Sequence, residues 1–261
     1  MDKKTVNQIT FYKFDPKKMS SSHEMVSEPQ LSVVIPVLDG EDHWKALIKD
    51  LPFFPDSTEF LFIGNGNQPT EFEKLVHQFA ISGRSHWDRS STGRAVQMNR
   101  GASESHCPYL LFLHSDSRLN EPAVRFLIQS LKSSPDALHY FNLKFHDQSH
   151  FLMQLNRWGV FFRSHYLGIP FGDQGLCLKR DLFFELGGYD ESVSYGEDHL
   201  LVWKARRNRI RLKCTGATIE TSSRKYQQQG WLKITATHLV LTVNQAIPQF
   251  ILLLKERIGS W

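Results

Sequence analysis

The chain has 261 residues, 41% of them hydrophobic and 22% charged. This excludes an intrinsically disordered chain and suits one large α/β domain. The net charge of +4 is too small an excess to point to nucleic acid, and no nucleic-acid reading motif accompanies it. The three cysteines, Cys107, Cys177 and Cys214, are an odd number without a C-x-x-C pair, so reduced core thiols in a cytoplasmic protein are expected.

Residues 1–30 are polar and Lys-rich, without the apolar run of a secretory signal, and read as a flexible lead-in. Leu31 to Ile35 is a β-branched run closed by Pro36, a buried strand. Trp44, Leu47, Ile48 and Leu51 follow at helical spacing. Glu59 to Ile63 reads as a second strand, ended by the turn residues Gly64-Asn65-Gly66-Asn67. Phe72, Leu75, Val76 and Phe79 repeat the helical stripe. A helix over Gly93 to Ser103 has a narrow face of Ala95, Met98 and Ala102. The strand Tyr109 to Leu113 is followed by a helix with Asn120 as N-cap, Pro122 in its first turn and Val124, Leu127, Ile128 and Leu131 inside.

The second half is less regular, with strands expected over Leu138 to Phe145, Asp173 to Lys179 and Ile210 to Cys214. Alternation of strand and helix implies a mainly parallel sheet with right-handed crossovers, and ligands bind beyond the carboxyl ends of such strands. The main domain is assigned to residues 31–232 and an apolar helical segment to 233–261. In the latter, Leu239 to Leu254 is interrupted by Thr242, Asn244, Gln245, Pro248 and Gln249, too short and broken for a spanning helix of about 20 apolar residues. It is expected to pack on the domain. The alternative is a peripheral contact with a membrane or partner, flanked by Lys233, Lys255 and Arg257.

Three strand ends carry polar groups: Pro36, Asp39, Glu41 and Asp42 after the first, the Gly64 to Asn67 turn after the second, and His114-Ser115-Asp116-Ser117 after the third. His114 and Asp116 are two apart and share a side in extended chain, an arrangement suited to Mn²⁺ or Mg²⁺. An Asp in this place is equally a turn former or helix cap. Arg94 stands in the first turn of a helix, against its dipole, which hints at an anionic ligand. Glu197 and Asp198 open another helix, where carboxylates are favoured; they read as a cap or as a general base.

Together these motifs resemble the family-2 glycosyltransferases. The resemblance rests on Leu31-Ser-Val-Val-Ile-Pro-Val-Leu-Asp, Gly93-Arg-Ala-Val-Gln-Met-Asn-Arg-Gly-Ala, Leu111-Phe-Leu-His-Ser-Asp-Ser-Arg-Leu, Phe171-Gly-Asp-Gln-Gly, Gly187-Gly-Tyr and Gly196-Glu-Asp, in one order. Within that family the chain is most similar to the branch associated with radical-SAM and arsenosugar clusters. The resemblance implies a GT-A fold, a nucleotide diphosphate sugar donor and inverting transfer of a hexosyl group to an acceptor hydroxyl. By position it implies Asp198, with Glu197 beside it, as catalytic base. Pro36, Asp39, Glu41, Asn65, Arg94, Asn99, Asp116 and Arg224 would serve the donor. Gly172, Asp173, Gln174 and Gly188 would shape the acceptor side. Asp116, with His114, would hold a divalent cation.

The sequence departs from the family pattern in two places. His114 stands where the first acid of the D-x-D motif is usual, and Asn65 and Asn67 stand where an acid usually follows the second strand. Two other activities remain open: a donor-binding module without transfer, and a nucleotidyltransferase releasing pyrophosphate.

Overall fold

The computed structural model describes residues 29–145, 151–222 and 231–258. Its frame is a seven-stranded sheet in the order β3-β2-β1-β4-β6-β5-β7. The strands are β1 (Leu31–Val37), β2 (Glu59–Gly64), β3 (Ser85–Arg89), β4 (Tyr109–Phe112), β5 (Leu138–Phe145), β6 (Leu176–Lys179) and β7 (Leu212–Thr221). All neighbouring pairs are parallel except the two that involve β6. The expected α/β class with a mainly parallel sheet is therefore observed.

The helices are α1 (Trp44–Leu47), α2 (Glu71–Gln78), α3 (Arg94–Glu104), α4 (Glu121–Ser133), α5 (Phe151–His165), α6 (Arg180–Glu185), α7 (Glu197–Arg207) and α8 (Trp231–Ile258). Side chains of β1 alternate between two cores. Leu31, Val33, Ile35 and Val37 join α1, α2 and α4 on one face, and Val34 joins α3, α6 and α7 on the other. The first core contains an aromatic group in which Trp87 stacks on Phe62 at 6.1 Å, and Trp44 and Phe72 meet both edge-on and each other tilted. Such pairs contribute roughly 0.5–1.5 kcal/mol each beyond area burial.

Several boundaries differ from expectation, each for a local reason. β1 continues through Pro36, which is in register with Ile63. The Leu113 N–H donates to the Val34 carbonyl, so Pro36, two residues on, turns its missing donor to the same side, where β4 has ended. β6 begins only at Leu176, because Gly172–Gln174 form a 3₁₀ turn instead of extended chain. β7 runs seven residues beyond Cys214, through a register irregularity opposite Tyr140 and Asn142 and a Gly216 at φ +86°. The N-cap of α4 is as read: Asn120 Oδ1 accepts the Ala123 N–H at 2.9 Å. Cys107, Cys177 and Cys214 are free thiols. The lead-in assigned to residues 1–30 falls almost wholly outside the described residues.

The apolar residues of α8 divide between two sides of the helix. Leu253 is buried, with Ala246 beside it, against Trp203 and Ile169. Val240, Val243, Ile247, Ile251 and Leu254 are exposed. Among the described residues no helix is long and apolar enough to cross a membrane.

The topology gathers polar segments at one edge. β1, β2, β3 and β4 are parallel, so the residues after each lie together. The turn before β6 lies there too, because β6 runs the other way and Leu176 pairs with Phe112. The end of β7 joins them through a backbone bridge between Arg118 and Glu220.

Candidate functional site

Two neighbouring features occupy this edge. The first is a cleft of about 230 Å³ between the ends of β1 and β2, lined by Asp39, Glu41, Gly64, Gly66, Asn67 and Trp87 among others. Asn65 organises it. Its Oδ1 accepts the Asp39 N–H at 2.7 Å and its Nδ2 donates to Thr92 Oγ1 at 3.2 Å, tying β1, β2 and the approach to α3 together. A side chain at Gly66 would strike the Asp39 carboxylate, so glycine there lets the two loops close up. The Leu38 N–H donates to Glu41 Oε2 at 3.3 Å. Pro36 is buried within the sheet, one residue before Val37, where the cleft's lining begins.

The second feature is a charged cluster centred on Arg94. Its guanidinium reaches from the start of α3 to the start of α7, with Nη2 2.9 Å from Asp198 Oδ2 and Nε 3.4 Å from Glu197 Oε1. The same Nη2 lies against His114 Nε2, at the end of β4. Burial works against charge on Arg94, but Asp198, Glu197, Tyr189 and Asp173 outweigh it and raise its pKa. Burial, then the Asp198 charge, pushes the Glu197 carboxyl above its ordinary range, with Arg94 opposing. Asp173 is raised in the same sense by burial and by Asp198 and Asp116, against Arg163 and Arg94. Tyr189 is raised well above its ordinary value by burial, then Asp198 and Glu197.

The backbone is shaped to admit this arrangement. Glu197 and Asp198 are both buried in the first turn of α7, where the helix dipole favours carboxylates. Gly172 presses on the Asp198 carboxylate so closely that a methyl group in its place would overlap it. Asp198 Oδ1 and Asp173 Oδ1 are buried without a hydrogen-bond partner, so the cluster presents two unsatisfied acceptors.

The structure thus brings Arg94, His114, Glu197, Asp198 and Asp173 together, with Asp116 close enough to act on the Asp173 charge. Asn99 and Gln174 are engaged elsewhere. Asn99 exchanges two bonds with the Tyr189 backbone and donates to Glu191, holding the Gly187–Glu191 loop down on α3. The tight loop at Gly188 (φ +61°) leaves only 2.9 Å between Asn99 Oδ1 and a would-be Cβ. Gln174 is buried; its Oε1 accepts from Phe171 N, Ser164 Oγ and Arg163 Nη2, and its Nε2 donates to the Phe141 carbonyl. Arg224 lies outside the described residues.

Three contributors were not singled out from sequence. Gln97 is buried in the quoted α3 motif and donates to the carbonyls of Val37 and Ile63, clamping α3 to both strand ends. Tyr189 sits in the quoted Gly187-Gly188-Tyr189 motif, so its position carried a signal. Arg163 lies 3.3 Å over the Phe171 ring from α5, a helix with no sequence signal picked out for it.

For a divalent cation the donor set at the end of β4 is one carboxylate, Asp116, and one imidazole, His114, with the Arg94 guanidinium already against that imidazole. Among the described residues no three His, Cys, Asp or Glu side chains gather as a metal cage. Such a set fits Mg²⁺ or Mn²⁺ only when a ligand's phosphate oxygens complete the shell.

No family model matches the chain, and no curated protein matches its sequence. Solved structures do match. A mannosyltransferase from Pyrobaculum calidifontis, in complex with GDP-Man and Mn²⁺, aligns over 89% of this chain and 70% of its own at TM-score 0.65 and 15% identity. TarS from S. aureus aligns over 74% of this chain at TM-score 0.56 and 16% identity, and this chain spans only 36% of it. Its 1-349 form in complex with UDP-GlcNAc aligns over 74% of this chain and 58% of its own at TM-score 0.58. Identities this low speak for the fold alone, and the fold is that of the GT-A glycosyltransferases.

Proposed function

We propose that the chain is a glycosyltransferase that moves a sugar from a nucleotide diphosphate sugar to an acceptor hydroxyl with inversion. The observation that carries this reading is the Arg94–Asp198 pair beside the Asp39–Asn67 cleft, with an unsatisfied Asp198 oxygen. The cleft takes the nucleotide, with Asp39, Glu41 and Asn65 as its polar contacts. Asp198 Oδ1 accepts the proton of the acceptor hydroxyl. The freed oxygen attacks the anomeric carbon, the bond from that carbon to the diphosphate oxygen breaks, and its electron pair leaves with the nucleoside diphosphate. Arg94 fixes the Asp198 carboxylate and places positive charge beside the leaving group. A divalent cation held by Asp116 and His114 would supply further charge neutralisation on the diphosphate, a role supported by the Mn²⁺ in the mannosyltransferase complex.

Membership in family 2 and hexosyl transfer rest on the ordered motifs, and the comparisons lend no support to the radical-SAM and arsenosugar branch. Donor chemistry is supported by the GDP-Man and UDP-GlcNAc in the structural neighbours. Donor binding by Arg224, acceptor contacts from Gly172, Asp173, Gln174 and Gly188, and a cytoplasmic, peripherally membrane-bound location belong to the same proposal. One observation favours a second reading, donor binding without transfer: the Arg94 guanidinium on His114 competes for a metal ligand.

Calorimetric titration of UDP-GlcNAc and GDP-Man with and without Mn²⁺, with chromatography of released nucleoside diphosphate, separates the two. Transfer predicts release that collapses in Asp198→Asn while donor affinity persists. Donor binding without any release favours the second reading, and normal turnover by Asp198→Asn removes Asp198 as the base.

A further inference from the structure

We propose that the outer faces of α5 and α8 form one docking surface for an anionic membrane. α5 exposes Trp158 (63%) and Phe162 (54%), a turn apart. α8 exposes Val240, Val243, Ile247 (55%), Ile251 (46%) and Leu254, at the i, i+3, i+7, i+11, i+14 spacing of one helical face. Its opposite side carries Ala246 and Leu253 against Trp203 and Ile169, so the exposed face is not the one the fold needs. The two helices are joined where Thr235 Oγ1 donates to Asn156 Oδ1 at 3.4 Å. An apolar surface of this extent on adjacent helices marks an interaction site.

Charge decides the occupant. By sequence the two helices carry Arg157, Lys233, Lys255 and Arg257 against the single carboxylate Glu256, a net of +3, while Arg163 turns inward over Phe171 and onto Gln174. That is most of the chain's net charge of +4. A self-complementary contact between two copies would set this positive charge against itself. An anionic lipid surface attracts the same charge while taking up the apolar side chains, and helices of this kind lie in the plane of the interface. The placement also suits the fold. Gln245 of α8 donates to the Tyr195 carbonyl two residues before Glu197, and Arg163 and Ser164 of α5 hold Gln174 beside Asp173. The docked face thus borders the charged cluster.

The test is flotation of the full chain with phosphatidylcholine vesicles, with and without phosphatidylglycerol, and needs no sugar donor. The chain should float with the anionic vesicles at low salt, float far less with neutral ones, and be released by high salt. The exposed-residue variants W158E/F162E and I247E/I251E, and the charge reversal R157E/K255E, should each lower anionic partitioning about tenfold or more, with far-UV circular dichroism and Tm unchanged. If a variant misfolds, the remaining variants and the lipid and salt dependence of the unaltered chain still decide. Absence of flotation with anionic vesicles, or equal flotation by folded variants, overturns the proposal. So does a dimer in sedimentation velocity that I247E/I251E disperses while vesicles bind nothing.

Discussion

Replacing Asp173 by Asn should stabilise the protein at neutral pH, and the gain should vanish in acid. The carboxyl sits beside Asp198 and Asp116, and its Oδ1 is buried without a hydrogen-bond partner. Burial and the two like charges raise its pKa above 3.8, and Arg163 and Arg94 offset only part of this. Below 3.8 the carboxyl is protonated in both folded and unfolded chains, and its ionisation costs nothing. As pH rises, the unfolded chain ionises first while the folded chain keeps the proton, so stability falls with pH until the folded value is passed. The penalty is then complete at pH 7. Each pKa unit corresponds to about 1.4 kcal/mol, and an unsatisfied buried acceptor costs about 1–3 kcal/mol. Asparagine removes the charge and keeps the shape, so a gain of about 1–2 kcal/mol is expected, or about 2–8 °C in Tm at the usual slope for a chain this long. Urea denaturation of both forms at pH 7 and near pH 3.5 measures it. A loss of stability at pH 7, or a gain that is the same at both pH values, would refute this electrostatic account.

Asp50 is buried and accepts two bonds from Arg118, at 2.6 and 2.8 Å, and one from the Leu119 N–H at 3.0 Å. Asp50→Ala should cost about 2–4 kcal/mol in urea denaturation, below the usual figure for a broken buried pair because the Arg118 side chain is 38% exposed. A loss under about 1 kcal/mol would show that the His114–Leu119 loop does not depend on this anchor. His139 is buried between Ser130 and Ser134, and burial lowers its pKa from 6.5 to about 4. The stability that follows is full above 6.5 and is lost as pH falls through about 4. Between pH 7 and 5 the chain should lose about 2 kcal/mol more than His139→Gln does, and equal losses would refute the assignment. Gly172→Ala should displace the Asp198 carboxylate, so turnover should fall about tenfold or more while donor affinity holds, read as a kcat effect without a matching change in donor Kd.

Most of the sheet was legible because its strands are apolar runs and its helices carry regular stripes. The elements that escaped lack those signals. β3, Ser85-His-Trp-Asp-Arg, is an edge strand with one large apolar residue, and Trp87 is held by stacking on Phe62 from the next strand and by edge-on contacts with Trp44 and Phe72. The β7 extension was hidden by Gly216, whose positive φ reads as a turn but here serves a strand irregularity. α5 went unseen because its exposed face is apolar too, which removes the contrast that a helical stripe requires.

The charged cluster was legible in pieces. Arg94 stands at a helix start where the dipole disfavours it, and two acids stand at another helix start where the dipole favours them. Helix-end charge alone offers no reason to join positions 104 residues apart, and only the family resemblance assigned both to one site. The structure joins them, and the local misfit of Arg94 in α3 is offset by the carboxylates of α7. Asp173 and Tyr189 complete the cluster from segments whose spacing carries no charge pattern at all, and both are raised by burial beside the same acids. The balance explains the unsatisfied Asp198 Oδ1. Arg94 engages one oxygen of that carboxylate, Gly172 crowds the group in place, and the second oxygen is left without a hydrogen-bond partner. A buried carboxylate held in this half-paired state is costly to the fold, and the proposed role of Asp198 as base accounts for that cost.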